Sequence, residues 1–253
     1  MAEGPVVHFY ANMLRDALQG QQVDVEFGIN RLKGRGKEFD GVTLEDVRAQ
    51  GKVFRILFSD GRIIVVHLLM WGTWRVYDGD EEWDKPESRA RLIMRGDGKV
   101  AVAFSAPVIR VFEDEDELAK SRWGDPGPDP LREDWSEKEF RRRLAERSDA
   151  EIGEVIMDQR VLGGVGNILR NEILFFAGVH PRRVVGDLSE EELSDILGHT
   201  IRLMRNWLDN MGGKKEWRRV YRRPGRPCPQ CGTEIEFFRQ NDRVTYACPA
   251  CQT

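Results

Sequence analysis

Two hydrophobic rhythms divide the chain. Val6, Phe9, Tyr10, Met13, Leu14 and Leu18 recur at helical spacing, which predicts a helix over residues 5–20 that Gly20 can end. Residues 23–112 then change to short strand-like runs. Val53–Phe58, a Ser59-Asp60-Gly61 turn and Ile63–Leu68 predict one hairpin. Leu92-Ile93-Met94, a Gly96-Asp97-Gly98 turn and Val100–Phe104 predict a second, and Val108–Phe112 a further strand. A β-sandwich or barrel-like sheet fits this stretch. The acidic run Glu113–Glu117 reads as a solvated opening to a helix.

Trp123-Gly124-Asp125-Pro126-Gly127-Pro128-Asp129-Pro130 is the strongest breaker cluster and marks a domain boundary. Beyond it the rhythm is helical over Ser136–Glu146, Glu151–Leu162, Ile168–Ala177 and Ser189–Met211, with a capping box at Ser189–Glu192. The expected class is α+β. Residues 1–122 form a β-sandwich with an N-terminal helix, 123–131 a linker, 132–222 a helical domain and 223–253 a small metal module.

Four cysteines define that module. Cys228-Pro-Gln-Cys231 and Cys248-Pro-Ala-Cys251 flank sixteen residues, a spacing that places four thiolates around one Zn²⁺. A closed four-sulfur site is structural; an iron–sulfur centre has the same ligand count. Glu234–Arg239 and Arg243–Ala247 predict a two-stranded ribbon with Arg243 at its turn. Upstream, Leu162-Gly163-Gly164-Val165-Gly166-Asn167 joins two helical segments. Its glycines permit close backbone approach, and the helix opening at Asn167 offers free N–H groups to an anion. No Lys-Ser/Thr follows, so it is not a nucleotide-binding P-loop.

Charge sharpens this picture only locally. The 253 residues carry a net charge of −4, which argues weakly against a nucleic-acid partner. Residues 1–150 account for −5, however, and residues 202–227 alone for +7. Lys214, Lys215, Arg218, Arg219, Arg222, Arg223 and Arg226, interleaved with Trp217 and Tyr221, would make binding to a polyanion steeply salt-dependent. No run of 18 apolar residues and no secretory signal is visible, so an intracellular (cytoplasmic) protein without a membrane partner is expected.

Taken together, several segments resemble one family. They are Met1-Ala2-Glu3-Gly4-Pro5, Gln50-Gly51-Lys52, Met157-Asp158-Gln159 with Gly163–Glu172, and the cysteine module with Arg243 five residues before Cys248. The chain resembles, essentially end to end, the Fpg/Nei DNA glycosylases (formamidopyrimidine-DNA glycosylase and endonuclease VIII). Phe104-Ser105-Ala106 is more similar to the endonuclease VIII branch. The resemblance implies a catalytic β-sandwich domain, a helix–two-turn–helix DNA-binding domain, a zinc finger, and damaged DNA in the cleft between domains. It implies a monomer that flips out and excises an oxidised base, then cleaves the strand. Extrusion is required because the reacting sugar carbon is inaccessible inside a stack.

The resemblance also implies site residues. The nucleophile would be the mature N-terminal amine, here of Ala2 where the family usually has proline. An α-amino group, with a pKa near 7.7–8.0, is partly uncharged at neutral pH and can form a Schiff base. Glu3 matches the general acid, whose raised pKa burial would supply. Lys52 matches a phosphate-contacting lysine that assists proton transfer. Asn167 and Gly166 match a phosphate-binding helix start, and Arg243 the finger arginine. Leu69, Met70 and Trp71, after His67, correspond to the wedge that fills the hole left by the extruded base, although a core role is open because a strand precedes them directly. Arg122 is a further DNA-contact candidate, and His67 reads as structural. Val6 stands where the family usually has glutamate, and is expected in the core. Rival readings are a damaged-DNA-binding protein whose chemistry is lost through Ala2 and Val6, and, more remotely, a zinc-stabilised RNA-binding module.

Overall fold

The computed structural model describes residues 2–211 and 217–253, so Met1, Lys214 and Lys215 lie outside the described residues. The chain divides into two compact units, Met1–Ala2 with Val6–Asp125, and Glu3–Pro5 with Pro126–Thr253. Among the described residues no helix is long and apolar enough to cross a membrane.

The first unit begins with α1 (Gly4–Leu18), whose packing face is Val7, Ala11, Leu14 and Leu18. Val6 is half-buried rather than core, and Phe9 is exposed, because the buried stripe lies one residue further round the helix than the apolar pattern suggests. Eight strands follow: β1 (Asp24–Phe27), β2 (Leu44–Gln50), β3 (Val53–Phe58), β4 (Ile63–His67), β5 (Thr73–Asp78), β6 (Ala90–Arg95), β7 (Lys99–Phe104) and β8 (Val108–Phe112). They form two antiparallel sheets, ordered β1-β6-β7-β5 and β2-β3-β4-β8. Phe54, Ile56 and Val66 from one sheet, Leu92, Met94 and Ala103 from the other, and the stripe of α1 share one core. β3 alternates half-buried and buried positions, as a strand with one covered face should. β4 is buried on both faces because the short helix α2 (Glu115–Lys120), capped by Asp114, covers Ile63 and Val65 with Leu118.

The second unit contains α3 (Glu137–Ala145), α4 (Ile152–Val155), α5 (Asn167–Phe176) and α6 (Glu190–Asp209), then β9 (Glu236–Gln240) and β10 (Arg243–Ala247). Ser136 caps α3, and Ser189 with Glu192 completes the expected capping box of α6. The long helix expected over Glu151–Leu162 is corrected to the single turn of α4. Beyond it, Asp158 accepts from the Arg160 N–H, and Gln159 donates to the Met157 and Val165 carbonyls. Such side-chain bonds compete with the helical ladder. β9 and β10 pair antiparallel across an Asn241-Asp242 turn. Both turn residues have positive φ (46° and 56°), the conformation that matches the strand twist.

Candidate active site and nucleic-acid interface

The start of the chain supplies the first elements of the site. The Ala2 nitrogen donates to the Leu69 carbonyl at 3.2 Å, and Ala2 is partly buried against the first core. Glu3 follows directly and is fully buried. Its carboxylate accepts from the backbone N–H groups of Gly166 (3.2 Å), Ile168 (2.8 Å) and Leu169 (3.1 Å). Helix α5 has no side-chain cap of its own, so Glu3 neutralises the orphan donors and the positive dipole end. The anion received by this helix start is therefore the protein's own carboxylate.

The glycine turn makes that contact possible. A Cβ on Gly166 would fall 2.5 Å from the Glu3 carboxyl carbon. The Gly4 N–H donates to the Gly164 carbonyl at 2.8 Å, and a Cβ on Gly4 would meet the Gly164 Cα at 2.8 Å. Gln159 pins the turn from the other side, accepting from the Gly164 N–H at 3.0 Å.

Asn167 faces the finger. Its Nδ2 donates to the Val244 carbonyl at 3.0 Å, and its Oδ1 accepts from Arg170. Val244 is the neighbour of Arg243, which is exposed at the first position of β10. Arg170 is fully buried; burial, reinforced by the charge of Arg243, pulls its guanidinium down to about 10. Asn171 accepts the Tyr246 N–H at 2.6 Å, and Glu172 accepts those of Arg219, Val220 and Tyr221 at 2.6, 3.1 and 2.8 Å. Burial pushes the Glu172 carboxyl up against the opposing effect of these three donors. The polar triplet Arg170-Asn171-Glu172 thus anchors the finger and its leading segment. That role is missing from the sequence reading, although three polar residues inside an apolar helix are its visible trace.

In the first unit, Gly51 and Lys52 form the two-residue turn between β2 and β3, with Gly51 at φ 59°. This is the hairpin that needs glycine at its first central position. Lys52 is half-buried, the Arg122 guanidinium lies 4.4 Å from the Trp123 ring centre, and the charges of both act on the His67 imidazole. His67 accepts the Leu69 N–H on Nδ1 at 3.1 Å. Burial, together with the charges of Lys52 and Arg122, lowers its pKa from 6.5 to about 4. After the buried Leu68, the side chains of Leu69, Met70 and Trp71 emerge 46%, 51% and 81% exposed. This excludes the core role for them and leaves an apolar tip in water.

The cysteines satisfy the requirements of zinc. All four Sγ atoms lie within 4.8 Å of one another, with Cys228–Cys251 at 3.9 Å and Cys231–Cys248 at 3.5 Å. A tetrahedral site with Zn–S bonds of about 2.3 Å has S···S edges of about 3.8 Å. Four thiolates leave no open ligand position, so one structural zinc fits.

A β-sandwich unit, a glycine-turned helix pair and a four-cysteine finger follow one another along the chain. Family signatures agree along the chain: the formamidopyrimidine-DNA glycosylase N-terminal domain over residues 1–108, its H2TH (helix–two-turn–helix) domain over 127–216, and the zinc finger found in FPG and IleRS over 225–253. The chain is 30% identical to a "probable endonuclease 8" of Streptomyces coelicolor, covering 100% of this chain and 94% of that one. It is 31% identical to a DNA-(apurinic or apyrimidinic site) lyase of Mycolicibacterium smegmatis, covering 100% and 99%. The Lactococcus lactis Fpg bound to abasic-site DNA has the same fold, with a TM-score of 0.83 at 24% identity over the whole of both chains. The protein belongs to the Fpg/Nei family and is a bifunctional DNA glycosylase and abasic-site lyase.

Proposed function

We propose that this enzyme excises oxidised pyrimidines from DNA and incises the resulting abasic site through a Schiff base on the mature Ala2 amine. The observation that carries the reading is the pairing of consecutive residues: an Ala2 nitrogen held by the Leu69 carbonyl, followed by a fully buried Glu3 carboxylate. With Met1 removed, the Ala2 amine attacks C1′ of the flipped nucleotide. The N–C1′ bond forms as the glycosidic bond breaks, and the departing base takes the electron pair and a proton. Glu3 is the acid for that protonation or for protonation of the sugar ring oxygen. The amine sheds a proton and the C1′–O4′ bond then opens, O4′ taking its electron pair and a proton, to leave a protonated imine that draws electrons from C2′; loss of a C2′ proton then expels the 3′ phosphate and cuts the strand. A primary-amine imine must be protonated to serve as this sink, whereas proline's iminium is permanently charged.

In the first unit, Lys52 and Arg122 bind phosphate, and Leu69, Met70 and Trp71 replace the stacking lost with the extruded base. In the second, Asn167 and the exposed Arg243 bind backbone phosphate, and Arg243 also assists elimination, while the N–H groups of Gly166, Ile168 and Leu169 stay on Glu3. The Phe104-Ser105-Ala106 stretch and the short segment between α6 and the finger favour pyrimidine lesions.

Borohydride trapping on an abasic duplex, read by intact mass and N-terminal peptide mapping, tests the chemistry. An adduct on Ala2 is expected; tight binding with a free Ala2 and no adduct favours the damaged-DNA-binding rival. An incision panel with thymine glycol, 8-oxoguanine and abasic duplexes tests the substrate, and preference for 8-oxoguanine overturns the pyrimidine assignment.

A further inference from the structure

We infer that His67 is a positioning residue for the N-terminal nucleophile: its Nδ1 fixes the backbone of Leu69, and the Leu69 carbonyl holds the Ala2 nitrogen. The inference rests on the reading of the Ala2 amine as nucleophile, and it concerns how that amine is aimed.

The relay starts from a rigid point. His67 is the last residue of β4 and is paired with Val53 of β3 and Val108 of β8, so its Cα is fixed from both sides. Its ring packs 6.0 Å from that of Trp123. Nδ1 accepts the Leu69 N–H at 3.1 Å and therefore carries no proton; the imidazole is neutral with its hydrogen on Nε2. Burial and the flanking Lys52 and Arg122 keep it neutral well below neutral pH.

Leu69 needs that support. It sits at φ 49°, a left-handed conformation that a residue with a side chain seldom adopts. Two bonds brace the turn besides that to Nδ1. The Gly72 N–H closes it on the Leu68 carbonyl at 2.9 Å, where a Cβ on Gly72 would lie 2.7 Å from the same oxygen. The Leu69 carbonyl, turned by this conformation, accepts from the Ala2 nitrogen. A neutral primary amine has two hydrogens. Giving one to Leu69 restricts the lone pair to two directions without consuming it. Leu69 also begins the exposed Leu69–Met70–Trp71 tip, so the segment that meets DNA and the acceptor that aims the amine share one peptide.

Three variants separate this role from a direct DNA contact. Asparagine places an oxygen near the Nδ1 position, glutamine reaches the Nε2 position, and phenylalanine offers neither. Single-turnover adduct formation at saturating abasic duplex is measured with affinity for a tetrahydrofuran-containing duplex and hydrogen exchange of the segment spanning residues 67–73. H67Q and H67F are expected to slow adduct formation about 10- to 100-fold with affinity held within about threefold, as for a misplaced reacting group. H67N should recover most of the lost rate. Exchange of the segment should be slow in the wild type and H67N, and fast in H67Q and H67F. Recovery by H67Q but not H67N, or loss of affinity alone, overturns the inference and makes His67 a DNA contact through Nε2. Absence of an Ala2 adduct in the wild type refutes the nucleophile instead. Exchange then still decides the relay, and identical exchange in all four proteins overturns it.

Discussion

Glu3 carries two demands at once. In the proposed mechanism it must hand a proton to the substrate; as a structural group it satisfies three N–H donors at the start of α5. Glutamine at this position keeps one acceptor oxygen and turns the other into a donor facing donors. E3Q should therefore abolish excision and also lower unfolding free energy by about 1–3 kcal/mol, read by denaturant titration. An inactive E3Q of unchanged stability would show that the capping bonds contribute nothing net. His67 gives a second residue-scale prediction, through linkage. Its folded-state pKa, about 4, lies below the unfolded value of 6.5, so between the two the unfolded chain binds more protons. The stability it contributes is complete above pH 6.5 and lost as pH falls toward 4, an effect of the order of 1–3 kcal/mol. Unfolding titrations at pH 7 and pH 4.5 should show a larger drop in the wild type than in H67N. Equal drops would mean that burial does not control the imidazole.

Elements explain which parts of this site were legible in the sequence. The strands β3, β4, β6, β7 and β8 and the helices α3, α5 and α6 announce themselves through alternation, turns and caps. The strands β1, β2 and β5 do not. β1 has only four residues, β2 carries an irregularity between Leu44 and Asp46 that breaks its alternation, and β5 is an edge strand with mixed burial. Ile152 to Leu162 imitates a helix because Ile152, Val155, Ile156, Val161 and Leu162 are all apolar and buried, yet local side-chain bonds from Gln159 claim the backbone. The cysteines, Glu3, Lys52 and Arg243 stand out by spacing or by resemblance. What α5 and its glycine turn receive does not, because Glu3 lies more than 160 residues away in sequence. Gly166 is the sharpest probe of that contact. G166A places a methyl group 2.5 Å from the Glu3 carboxyl carbon and 2.6 Å from its Cγ and Oε1. The carboxylate must withdraw, leaving buried N–H donors unpaired, and each costs about 1–3 kcal/mol. The expected result is a lower melting temperature together with loss of excision, and a fully active G166A would mean that Glu3 has another productive position.

Across the whole molecule, net charge and DNA binding point in opposite directions, and the distribution resolves the conflict. The excess of acid lies in residues 1–150, while exposed Arg218, Arg222, Arg226, Arg239 and Arg243 lie on the finger and the segment leading into it. Glu172 accepts from the backbone at Arg219, Val220 and Tyr221, and Asn171 from that at Tyr246. The basic surface is therefore fixed to α5 at two places and does not depend on the zinc cluster alone. A pre-ordered cationic surface releases condensed counterions on contact with a duplex, and affinity then falls linearly on a log–log plot against salt with a slope of about −0.9 per phosphate neutralised. If these five arginines each meet one phosphate, the slope contributed by this surface is about −4 to −5, and R243A should reduce it by about 1 while weakening damaged and undamaged duplexes by similar factors. Titrations of tetrahydrofuran-containing and intact duplexes between 50 and 200 mM salt, a range over which several phosphate contacts separate clearly, provide the check. A slope unchanged by R243A would remove Arg243 from the phosphate contacts. A loss confined to the damaged duplex would instead assign it to the flipped nucleotide, where the same guanidinium would act on the lesion site rather than on the strand at large.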